Sequence, residues 1–98
     1  MDEPFDPARV TQALEHLPGW SGDVSGLTRT YTFDGFAAAI AFMAAAAPRI
    51  DEMDHHPEWT NVYDRVEVRL SSHDVSGVSG RDVRLAEVLD ELAGDAAR

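Results

Sequence analysis

Two segments of strict period two, separated by a long alanine-rich stretch, constrain the fold more than anything else in this chain. In the first, Leu27, Arg29, Tyr31 and Phe33 share one parity, and Thr28, Thr30 and Thr32 share the other. In the second, Val66, Val68 and Leu70 alternate with Glu67, Arg69, Ser71 and His73. Alternation of this kind predicts strands with one apolar and one wet face. An apolar sheet face must be covered, and helices are the natural cover.

Helical patterns flank both strands. Asp6 is placed to cap a first helix, with Pro7 at its first position, where a missing N–H costs nothing. Val10, Ala13, Leu14 and Leu17 then recur at helical spacing, and Pro18-Gly19 ends the run. Asp34 is expected to cap a second helix, with Phe36, Ile40, Met43 and Ala47 as its apolar stripe. Pro48 is expected to kink or break it before Ile50 and Met53. Ser79 predicts the cap of a last helix, with Asp82 closing a capping box. Leu85, Val88, Leu89 and Leu92 form the stripe of that helix, and Gly94 marks its end. Trp20–Val24 and Trp59–Tyr63 read as further extended segments, and Asp64-Arg65 as a turn or bulge. The expectation is an α+β fold in one domain, residues 1–98. A four-stranded antiparallel sheet carries helices packed on one face, in α-β-β-α-β-β-α order.

Composition removes several classes of function. The chain has 98 residues and no cysteine, which excludes a disulfide framework and thiolate metal sites. Asp and Glu number 18 against 8 arginines and no lysine, for a net charge of −10. Such a surface repels phosphate backbones and anionic lipid, so no direct nucleic-acid or membrane partner is expected. The run 36–47 is too short to span a bilayer. The acidic start lacks a signal segment, so a soluble, cytoplasmic protein is expected.

The chemistry gathers in DHHPEWTNVYDRVEVRL, residues 54–70. His55 and His56, half of the four histidines, stand together before Pro57 and among Asp51, Glu52, Asp54 and Glu58. Imidazole exchanges its proton near neutral pH, so the pair suits acid–base work, and a helix-to-strand junction with proline would hold it stiffly. Taken alone, the pair also fits two exposed loop histidines or a weak metal site, although no standard zinc spacing is present. His73 by itself is consistent with a polar strand end, and Asp82 with helix capping. Asp82 can also orient a histidine by accepting its second N–H. Trp59 is of the type that walls a flat aromatic ligand. His16 suits the end of the first helix, and no chemistry is assigned to it.

Asp51, then His55-His56-Pro57, then Tyr63, His73 and Asp82, together with LPGW (17–20) and TYTFDGFAAAIAFM (30–43), form a pattern that resembles the pterin-4a-carbinolamine dehydratase family. The resemblance covers nearly the whole chain. It implies a hydro-lyase that dehydrates a 4a-hydroxytetrahydropterin to the quinonoid dihydropterin and supports pterin recycling for an aromatic amino-acid hydroxylase. It also implies that the dehydratase needs no metal or cofactor. Carried over residue by residue, His55 and His73 are the acid–base pair and His56 chiefly binds substrate. Trp59 is a pocket-side aromatic, and Asp51 and Asp82 hold or polarise the histidines. Asp51 is one methylene shorter than the glutamate frequent there. The family forms homo-oligomers, dimers or tetramers, through sheet edges and the second helix. Some animal members also stabilise a homeodomain transcription factor dimer, so a catalytically quiet scaffold is the competing reading.

Overall fold

The computed structural model describes residues 3–94. Helix α1 (Pro7–Glu15) leads into strands β1 (Ser21–Asp23) and β2 (Gly26–Thr32). Helix α2 (Phe36–Met53) follows, then β3 (Glu58–Val62), β4 (Arg65–Leu70), a 3₁₀ turn (His73–Val75) and helix α3 (Gly80–Ala93). The four strands form one antiparallel sheet in the order β1-β2-β4-β3. The expected α+β layering is what forms.

The register explains the layering. Leu27 pairs with Leu70, and Tyr31 with Val66, so the two alternating segments bring their apolar parities to one face. Leu27, Tyr31, Val66, Val68 and Leu70 are buried there against Ala39, Phe42, Ala46, Ile50, Leu85 and Leu89 of the helices. Thr28, Thr30, Glu67 and Arg69 lie on the opposite, open face. The Tyr31 ring sits among Trp20, Phe33 and Phe42, with centroids 6.2, 6.2 and 5.0 Å away. Arg29 shares the inward parity, yet its charge is not stranded. Its guanidinium meets Asp90 of α3 at 2.8 Å and lies over the Tyr31 ring.

Two helix starts follow the local rules. Asp6 accepts from the Arg9 N–H, and Ser79 with Asp82 forms a full capping box. The second start does not: its cap falls on Gly35 rather than Asp34, with no side-chain cap bond. The expected α2 stripe is also corrected. The buried residues are Ala39, Phe42, Ala46 and Ile50, whereas Phe36 and Ile40 are 54% and 41% exposed and Ala47 is exposed. The helix is apolar on nearly every side, so periodicity alone could not choose between stripes offset by one residue. Nor does Pro48 break the helix, which continues to Met53. Pro48 and Ala44 are both exposed, so water can reach the carbonyl that Pro48 leaves without its usual N–H partner. The β3–β4 turn falls at Tyr63-Asp64, one residue earlier than expected, and Arg65 is already in β4.

Candidate active site

Three segments converge where α2 gives way to β3. Asp54 closes α2 in a left-handed conformation, φ 50°, which aspartate tolerates better than most residues. The chain then runs through His55, His56 and Pro57 into β3. From the far side comes the loop after β4. Ser72 and Gly77 bridge its base, with Ser72 N–H donating to Gly77 O at 2.8 Å, and the 3₁₀ turn carrying His73 lies between them. A side chain at position 77 would meet the Val24 carbonyl oxygen at 2.6 Å, so the loop closes this tightly only on glycine. The first turn of α3 supplies Asp82.

Burial sorts the site residues into two kinds. His55 is 8% exposed and Asp82 fully buried, and His55 Nε2 meets Asp82 Oδ1 at 2.6 Å. The other carboxylate oxygen, Oδ2, accepts from Ser72 Oγ at 2.8 Å and from the Ser79 N–H at 2.9 Å. Ser72 Oγ and Ser79 Oγ are 2.7 Å apart. Both oxygens of Asp82 are partnered in this buried network, and in such surroundings hydrogen bonds are strong and geometry is fixed.

His56 and His73 are the opposite case. His56 Nε2 meets Asp51 Oδ1 at 3.0 Å with both side chains well exposed. The short aspartate therefore does reach its histidine, though an exposed pair of this kind adds little stability. The His73 side chain is 86% exposed and its Nε2 stands 3.7 Å from Glu58 Oε1, too far for a hydrogen bond but close enough to feel its charge. Nearby, the hydrogen bond from Arg81 holds the Asp74 carboxyl below its usual range, with the charges of Arg81 and His55 adding to the effect. Trp59 is partly buried against the core in β3. It also borders an open trough of about 740 Å³, which touches the histidine cluster only through Pro57, Glu58 and Trp59. The histidine cluster therefore lies at the rim of this trough.

The sequence reading missed Ser72 and the second role of Ser79. A signal for Ser72 was present: it continues the parity of Val66, Val68 and Leu70, so a polar side chain follows three apolar ones onto the buried face. Among the described residues, no cluster of three or more His, Asp or Glu is arranged to hold a metal ion.

One buried, carboxylate-anchored histidine beside two exposed ones gives this small α+β protein a set of side chains of the kind suited to acid–base work. Comparison with known proteins makes the class specific. The sequence profile of the pterin 4 alpha carbinolamine dehydratase family matches residues 3–92. A protein of Nitrobacter winogradskyi, provisionally named a pterin-4-alpha-carbinolamine dehydratase, is 53% identical over 91 residues, covering 90% of this chain and 88% of its own. One of Rhizorhabdus wittichii with the same provisional name is 43% identical over 93 residues, covering 93% and 96%. A crystal structure described as a transcriptional coactivator/pterin dehydratase from Brucella melitensis superposes with a TM-score of 0.91 at 36% identity, covering 94% of this chain and all of the other. The chain belongs to the pterin 4 alpha carbinolamine dehydratase family, a family of hydro-lyases. Among the described residues, no helix is long and apolar enough to cross a membrane.

Proposed function

We propose that this chain dehydrates a 4a-hydroxytetrahydropterin by histidine acid–base catalysis, with His55 and His73 exchanging protons and His56 chiefly binding substrate. The C4a–O bond breaks with its electron pair, and an imidazolium gives the departing oxygen a proton, so that water leaves. The N5 lone pair forms the C4a=N5 bond, and a neutral imidazole takes the N5 proton. Imidazole is the side-chain type suited to both giving and taking a proton, so histidines can serve both halves. The observation that carries this reading is the anchoring of His55 on buried Asp82, while His73 opens the turn immediately after Ser72, a partner of the same Asp82. Asp51 beside His56 and the half-buried Trp59 are the remaining substrate-side groups. No metal or cofactor enters the reaction as written.

The same reading puts the protein in the cytoplasm, recycling the pterin of an aromatic amino-acid hydroxylase. It also makes the working unit a homo-oligomer, dimer or tetramer. The exposed Phe36 and Ile40 on α2, and β3 at the edge of the sheet, support that assembly. The test is the rate at which a hydroxylase-generated 4a-hydroxypterin dehydrates with wild type and with a folded His55→Ala/His73→Ala variant. Acceleration that the variant loses supports the reading; no acceleration by folded wild type ends it.

A second reading, a scaffold that holds other chains, is favoured by the apolar outer face of α2 and by the description of the Brucella protein as a transcriptional coactivator. A scaffold would keep its partner after loss of both histidines.

A further inference from the structure

Asp82 has more partners than a helix cap requires. Its Oδ2 already closes the capping box by accepting from the Ser79 N–H, and the Ser72 hydroxyl adds a second donor to the same oxygen. The direction of each proton follows by counting. Ser72 has one hydroxyl proton, and it is spent on Asp82. The Ser72–Ser79 contact can therefore only be a donation from Ser79 to Ser72. The chain of protons runs Ser79 to Ser72 to Asp82 Oδ2. An ionised carboxylate accepts and never donates. Its Oδ1 therefore needs a donor, and the group facing it is His55 Nε2 at 2.6 Å.

We propose that Ser72 is a positioning residue: acting through Asp82, it fixes His55 as the Nε2–H tautomer and leaves Nδ1 as the nitrogen that exchanges a proton with substrate. The inference rests on the dehydratase reading above for its substrate, but not for the tautomer. With Oδ2 saturated by two donors, the carboxylate cannot turn to offer its other oxygen without leaving a buried hydroxyl and a buried N–H unsatisfied. The carboxylate plane is thus set by Ser72 and Ser79, and the imidazole plane by the carboxylate. Nδ1 makes no hydrogen bond with any described residue, so it is the nitrogen left for chemistry. In metal sites, losing an outer group that orients a ligating histidine or carboxylate costs roughly ten- to a hundredfold in activity, and the lower end of that range is expected here.

The test is long-range ¹H–¹⁵N correlation spectroscopy of the histidine rings in intact protein, at a pH where His55 is neutral, alongside dehydration rates. Wild type should show His55 protonated on Nε2. Asp82→Asn should invert this. The two donors at Oδ2 keep the amide oxygen there, so the amide nitrogen faces Nε2 and the proton must move to Nδ1. Ser72→Ala should give mixed tautomers and roughly tenfold slower dehydration. Ser72→Thr, which keeps the hydroxyl, should restore both. Nδ1–H in the wild type would overturn the proposal, as would a Ser72→Ala protein with wild-type tautomer and rate. If wild type does not dehydrate the pterin at all, the proposed function falls while the spectrum still decides the tautomer. If Ser72→Ala does not fold, wild type and Asp82→Asn decide it.

Discussion

The Tyr31 hydroxyl donates to the carboxylate of Asp90, tying the centre of β2 to α3 across 59 positions of sequence. The same carboxylate accepts from Trp20 Nε1 at 3.0 Å and from Arg29 at 2.8 Å. One acidic side chain thus serves three donors at the end of the core away from the histidines. Asp90→Ala should leave all three without their partner and cost about 2–4 kcal/mol, reduced from a fully buried loss because Asp90 and Arg29 remain partly solvated. Asp90→Asn keeps one acceptor oxygen and should cost about half as much. Urea unfolding of the two variants checks the order.

Burial, then the hydrogen bond to Asp90 and its charge, hold the Tyr31 hydroxyl far above its usual value of 10.0. The native state therefore retains this proton where the unfolded chain has lost it. The stability that this contributes is complete below pH 10 and is lost as pH rises beyond it. Unfolding midpoints measured across that range should fall steeply for wild type. Tyr31→Phe should start about 1 kcal/mol lower and fall less steeply.

The two faces of α2 should respond oppositely to added bulk. Ala46 is fully buried, whereas its neighbour Ala47 is exposed. Ala46→Leu should overpack the helix–sheet contact and cost about 1–3 kcal/mol. Ala47→Leu should be near neutral in a dilute monomer. Thermal melts of the pair would invert this order if the stripe read from sequence were the packed one.

Pro48 should be a mild liability. Pro48→Ala returns an N–H to the Ala44 carbonyl and removes a ring clash, which favours the helix by about 3 kcal/mol. The freer unfolded chain takes back about 1 kcal/mol. A net gain of about 2 kcal/mol is expected in denaturant midpoint analysis.

If α2 joins copies of the chain through its outer face, Ile40→Glu should lower the mass seen by sedimentation while leaving the fold intact by circular dichroism. An unchanged mass would remove α2 from the interface.

Much of the candidate site was legible because its residue types are scarce and closely spaced. His55, His56, Asp51 and Pro57 lie within seven positions, and His73 and Asp82 follow from the family pattern. Asp82 also had a local rule, the capping box, that fixed its helix position. Ser72 was partly legible through strand parity. The partners of Asp90 were not, because nothing local links it to Trp20, Arg29 and Tyr31. Arg29 even sits at a position where alternation expects an apolar residue.

By itself the sequence determined which segments form the three α-helices and four strands, the inward parities of β2 and β4, two of the three helix caps and the histidine cluster; the 3₁₀ turn at His73–Val75, where alternation carried the strand on, it did not. Each of these depends on neighbours a few residues apart, where backbone geometry and side-chain period act directly. The packed face of α2 was left to the tertiary structure, because a helix apolar on every side is ordered only by what it packs against. The same holds for which histidine is buried and which are wet. His55 and His56 are adjacent and chemically identical, yet Asp82 of α3 and the loop closed at Gly77 enclose one and leave the other in solvent. Burial is a property of the assembled chain, and it separates the fixed histidine from the exposed ones.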